Sequence, residues 1–143
     1  MTWAGLLVVT PLLASRPHAT PIASAVILAV YGIGSLICHQ LPERSYHLWT
    51  AQMPVCARCA GIYFGAVAGA IAGLFRTGAV GARARTPGPR AILALAVIPT
   101  LVTLVYEWTT GDMPAHAIRA AAGAPIGCAV AWLVVAAAEN QVN

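Results

Sequence analysis

Four stretches of this chain stay apolar over the length a bilayer demands, and that pattern limits the fold more than any motif does. They cover about residues 20–37, 55–75, 91–108 and 120–138, each bounded by charge, Pro or Gly. At about 1.5 Å rise per residue, even the shortest, ~18 residues, reaches ~27 Å, close to the hydrocarbon thickness. The rest of the composition agrees: 59% of residues are hydrophobic and 8% charged, against about a quarter charged in soluble domains. The expected fold is an all-α integral membrane protein, one polytopic unit over residues 1–143 built as a bundle of about four transmembrane helices in the lipid bilayer. Pro99 is expected to kink or loosen the third span. Thr2 to Ala14 is apolar too, but ~13 residues interrupted by Pro11 fall short of the usual ~20, so this segment reads as interfacial or re-entrant. It lacks the basic start and small-x-small site of a signal peptide.

All eight basic residues are arginines, set against four acidic residues, and they are too scattered for a nucleic-acid footprint. Their placement carries topology instead. Arg76, Arg83, Arg85 and Arg90 crowd the linker over residues 76–90, which the positive-inside rule assigns to the cytoplasm of a multi-pass protein in the plasma (inner) membrane. Residues 38–54 and 109–119 then share the outer face. Trp3, Trp49, Trp108, Tyr46, Tyr63 and Tyr106 fall mostly at the ends of apolar stretches, as interfacial anchors do.

Within the second stretch Gly61, Gly65, Gly69 and Gly73 recur every fourth residue, and Gly123 and Gly127 repeat that spacing in the fourth. In lipid such a smooth face drives close helix association. The second helix is therefore expected to pack on the fourth, or on its own copy in a homo-oligomer.

The chemical signal is Cys38-His39 followed, seventeen positions beyond His39, by Cys56-Ala57-Arg58-Cys59. Two thiols three residues apart, with a further Cys and a His, supply the soft donors that tetrahedral zinc takes. Pro54 is expected to open the helix, placing Cys56 and Cys59 in its first turn near the positive dipole end, where thiolates are favoured. Three readings stay open. Cys38, Cys56, Cys59 and one of His39 or His47 bind a metal; or Cys56 and Cys59 form a thiol-disulfide pair of a quinone-linked oxidoreductase, with Cys38 as resolving thiol; or the cysteines are ordinary thiols or a static disulfide. Cys128, inside the last stretch, reads as packing.

Cys38-His39-Gln40, Pro42-Glu43-Arg44-Ser45, and Pro54-Val55-Cys56-Ala57-Arg58-Cys59-Ala60-Gly61-Ile62-Tyr63 with Gly65 together resemble the signature of a family of small prokaryotic membrane proteins called domain of unknown function 2085. The likeness is close from Cys38 to Gly65 and weaker through Arg119, Gly123 and Gly127. It implies several membrane helices and no established activity. Glu107 and His116 stand where the family pattern commonly has Asp and Asn.

The remaining polar residues of the outer segments, Glu43, Arg44, Arg58, Glu107, Asp112, His116 and Arg119, are candidates to converge with the cysteines. Glu107 and Arg119 are expected to be paired, most simply with each other, because charge near a span end is costly. Converging guanidiniums would suit a lipid phosphate or pyrophosphate, which keeps a metal-dependent enzyme acting on a lipid-linked substrate open beside a structural metal protein or a subunit of a larger membrane complex. Phosphate loops, dinucleotide-binding glycines and a nucleophile elbow are all missing from the sequence, so kinase, dehydrogenase and serine hydrolase chemistry is not expected.

Overall fold

The computed structural model describes residues 2–76 and 88–142. The elements are α1 (Thr2–Ala14), α2 (Pro21–Ile37), a single 3-10 turn (Pro42–Arg44), the strands β1 (Ser45–Leu48) and β2 (Ala51–Cys56), and the helices α3 (Ala57–Arg76), α4 (Pro89–Thr110) and α5 (His116–Val142). Arg83 and Arg85, on which part of the topology expectation rests, lie outside the described residues.

Among the described residues three helices are long and apolar enough to cross a membrane: Ala57–Phe75, Pro89–Thr110 and His116–Ala138. The first of the four expected spans, residues 20–37, corresponds to α2, whose 17 residues make a shorter apolar helix. Local chemistry explains where these helices start and stop. Thr20 caps α2, its hydroxyl accepting from the Ala23 N–H at 3.3 Å, with Pro21 in the first turn. Gly111, at φ 75°, ends α4 in the left-handed region that a residue without Cβ enters freely. Pro99 lies inside α4 and Pro125 inside α5, and both helices continue through them.

The most extensive helix pairing joins α3 to α5, with α4 laid against α5. Gly65 rests on the backbone of Ala124, and Gly127 on the backbone at Ile62 and Ala66, so the two glycine rows interleave. No side chain fits between them. Where hydrocarbon replaces water there is little hydrophobic drive between helices, and this close approach supplies the dispersion contact instead. Large apolar side chains point away from the bundle, among them Leu36, Phe75 and Val134.

At the end of the bundle carrying the N-terminus of α3, residues 38–56 are more ordered than a polar loop. They build a two-stranded antiparallel hairpin turned at Trp49 and Thr50, both at positive φ. Ser45 pairs with Cys56 and His47 with Gln52, so Met53, Pro54 and Val55 together face Tyr46. Pro54 thus sits in a bulged strand, where its missing N–H costs no ladder bond, and not at a helix start as its sequence position suggests. Leu7 of α1, Cys38, Met53, Val55 and Ala60 form the small core under this hairpin.

Candidate metal centre

The three cysteines come from three separate pieces of chain. Cys38 is the extended residue that ends α2, Cys56 the last residue of β2, and Cys59 lies in the first turn of α3. Their Sγ atoms lie within 4.8 Å of one another. A tetrahedral ion with Zn–S bonds of about 2.3 Å holds its sulfurs about 3.8 Å apart, so small side-chain adjustments would close the set around one ion. All four cysteines are free, and Cys128, half-buried in α5, stands apart from the cluster.

The helix starts at Ala57, three residues later than the expected start at Pro54, so Cys56 precedes it and does not lie in its first turn. As the residue before α3 it acts in the manner of an N-cap, taking hydrogen bonds from the Cys59 thiol and the Cys59 backbone N–H, which together with Cys38 and the charge of Arg119 hold its pKa down to about 5 against the opposing effect of burial. Its own N–H donates to Cys38 Sγ at 3.2 Å.

What aims Cys38 is a polar latch that sequence reasoning did not single out. Gln40, at φ 49°, donates through Nε2 to the carbonyls of Tyr31 (2.9 Å) and Pro54 (2.8 Å), and Gln52 Nε2 donates back to the Gln40 carbonyl at 2.5 Å. The Tyr31 hydroxyl donates to the Gln52 carbonyl. Gly34 lets this crossing happen, since a Cβ there would come within 2.6 Å of Gln40 Nε2. The available signal was Gln40 itself, a polar residue fixed directly after Cys38-His39.

A cavity of about 370 Å³ opens over the sulfurs, lined by all three cysteines with Arg44, Arg58, Arg119 and His39 among its walls. His39 is exposed and lines it, yet the group of mutually close donor atoms contains no histidine. Arg58 donates to Glu107 Oε1 at 2.6 Å and to Thr103 Oγ1 at 3.1 Å, and Arg119 Nε reaches the same carboxylate oxygen at 3.4 Å. Glu107 therefore serves two arginines, where the sequence suggested one. The 3.4 Å approach is an ion pair without hydrogen-bond alignment, and Arg119 Nε stays buried without a hydrogen-bond partner. His116 packs on Tyr46, ring centroids 5.4 Å apart, and does not line the cavity; Glu43 and Asp112 are exposed outside it.

Removing the shared carboxylate tests this arrangement. Glu107→Gln is expected to lower stability by about 3 kcal/mol, because the buried Arg119 and the partly buried Arg58 lose their counter-charge together. Thermal unfolding in mild detergent measures it, and a change under about 0.5 kcal/mol would show that the ion pairs carry no structural role.

Comparison with known proteins places this sequence in a family. The model of the family described as "Predicted membrane protein (DUF2085)" matches residues 38–133, from the first cysteine of the cluster to well inside α5. The chain belongs to this family. Among curated proteins, it is 50% identical over 44 residues to the uncharacterized protein MJ1492 of Methanocaldococcus jannaschii, covering 31% of this chain and 28% of that protein. It is 53% identical over 30 residues to an uncharacterized protein of Methanothermobacter thermautotrophicus, covering 21% of this chain and 27% of that one. The chain thus spans less than a third of the length of either relative. No solved structure matches.

Proposed function

We propose that this member of the DUF2085 family is a multi-pass membrane protein in which Cys38, Cys56 and Cys59 hold one metal ion, zinc by the softness of the donors, as a staple joining α2, the hairpin and α3. The observation that carries the reading is the meeting of three sulfurs from three chain segments within 4.8 Å. Soft thiolates of this number favour zinc over the hard cations, which prefer oxygen. His39 is the wall residue offered for the fourth position.

In this reading α2 is the fourth span, its ~17 residues giving ~26 Å and a slightly thinned bilayer taking up the difference. The cysteine end faces outward. Support comes from Arg76 and Arg90, which stand at the ends of α3 and α4 remote from Cys59 and Glu107, where the positive-inside rule asks for the cytoplasm.

A second reading has one observation in its favour: Cys56 accepts a hydrogen bond from Cys59 and both line an open cavity, as a thiol-disulfide pair facing a membrane quinone would. Elemental mass spectrometry of protein purified without added metal, with thiol titration beside it, separates the two. About one zinc per chain, with the three thiols reacting only after chelation, is the result expected of the metal centre. Metal-free protein in which two thiols appear only after reduction would replace it with the redox reading.

A further inference from the structure

The cavity above the cysteines carries more positive charge than anything described around it neutralises. Arg44, Arg58 and Arg119 line it, while Glu107 is the one carboxylate that pairs with any of them among the described residues. Three guanidiniums against one carboxylate and the Cys56 thiolate leave an excess of one charge, and the same excess remains when a divalent ion sits on three thiolates. Arg119 is 2% exposed. Excess charge so deep at the end of a helical bundle is costly unless a counter-ion completes it.

The donors are also arranged for one. Nε of Arg44, Arg58 and Arg119 is in each case buried without a hydrogen-bond partner, although all three residues line the same cavity. They arrive from three directions: the 3-10 turn, the first turn of α3 and the first turns of α5. Planar guanidinium forks arriving from three sides match the several oxygens of a phosphoryl group. Around the opening stand Ile37, 57% exposed, and Leu41, 39% exposed, with Ile62 on the wall. A charged floor under an apolar lip fits a phosphate ester as well as a free ion, and the volume lies at the small end of ligand pockets of roughly 300–1,000 Å³.

We infer that this cavity is a binding site for a phosphoryl oxyanion, held by Arg44, Arg58 and Arg119. The site stands on the arginines, independently of whether the cysteines hold a metal.

Titration calorimetry on protein in an uncharged maltoside detergent and phosphate-free buffer tests it, using inorganic phosphate in one arm and dihexanoyl phosphatidic acid in the other. Saturable binding in either arm is expected, and the arm that binds tighter identifies the source as free phosphate or lipid headgroup. Arg44→Gln is expected to weaken binding about tenfold and Arg44→Lys to recover most of it, because Arg44 makes no ion pair among the described residues and its loss leaves the bundle intact. In the unaltered protein after chelation, saturating probe should slow alkylation of Cys56 by a maleimide. Lack of saturable binding below about 10 mM in both arms, equal binding by Arg44→Gln, or Cys56 alkylation that ignores bound probe would each overturn the site. Metal content measured on the same samples keeps the two readings apart: zinc with no anion binding defeats only this inference, and anion binding without metal defeats only the metal centre.

Discussion

Replacing Gly65 by leucine is expected to part α3 from α5 and leave little folded protein in detergent. A Cβ at Gly65 would meet the Cα and carbonyl carbon of Ala124 at 2.8 Å, and backbone atoms inside a helix cannot swing aside as a side chain tip can. The helices must separate along much of their length, which forfeits the dispersion contact of the whole glycine row. A loss above about 4 kcal/mol follows, comparable to the entire margin of an ordinary domain. Gly32→Leu is the matched control: Gly32 also lies in a helix, but a Cβ there meets nothing within 4 Å, and the change should stay within about 0.5 kcal/mol. Size-exclusion behaviour and denaturant unfolding in detergent read both variants. Equal effects would mean that the α3–α5 contact is not what holds the bundle together.

Cys59→Ser is expected to lose bound zinc, from about one ion per chain to a trace, together with at least about 4 kcal/mol of stability, since two thiolates from Cys38 and Cys56 cannot hold the ion on their own. The loss should spread beyond α3, because the staple ties the end of α2 and the end of β2 to the same point, over the core of Leu7, Met53, Val55 and Ala60. Cys128→Ser is expected to keep its metal and unfold within about 0.5 kcal/mol of the unaltered protein, its sulfur lying outside the cluster. Elemental analysis and thermal unfolding of the two variants check this. Matching metal content in both would remove Cys59 from the ligand set.

Much of the helix packing and the donor set is legible in residue type and spacing alone, and particular residues show why. The rows at Gly61, Gly65, Gly69 and Gly73 and at Gly123 and Gly127 pair α3 with α5 because repetition every fourth residue makes a groove wherever a helix forms, and only a second smooth face fits into it. Cys38, Cys56 and Cys59 stand out by donor chemistry and by their separation along the chain. The hairpin does not. Its strands are four and six residues long and contain Pro54, and its turn at Trp49 and Thr50 carries none of the glycine or asparagine that usually marks a reversal. The latch role of Gln40 is equally hard to read, although the residue itself stands in the motif, because one side chain bonded to two distant carbonyls leaves no periodic trace.

The sequence by itself determined a helical membrane chain, two smooth glycine faces and three sulfurs that stand out as donors, since these follow from hydropathy, periodicity and donor chemistry, all local properties, whereas that the two faces pair with each other is seen in the structure. Only the tertiary structure decided that Glu107 is shared by Arg58 and Arg119, that His39 lies outside the group of sulfurs, and that Arg44 joins the same cavity. Those relations depend on where the ends of α2, α3, α4 and α5 meet in space, and charge neutralisation acts over a few ångströms in space however far apart the residues stand along the chain.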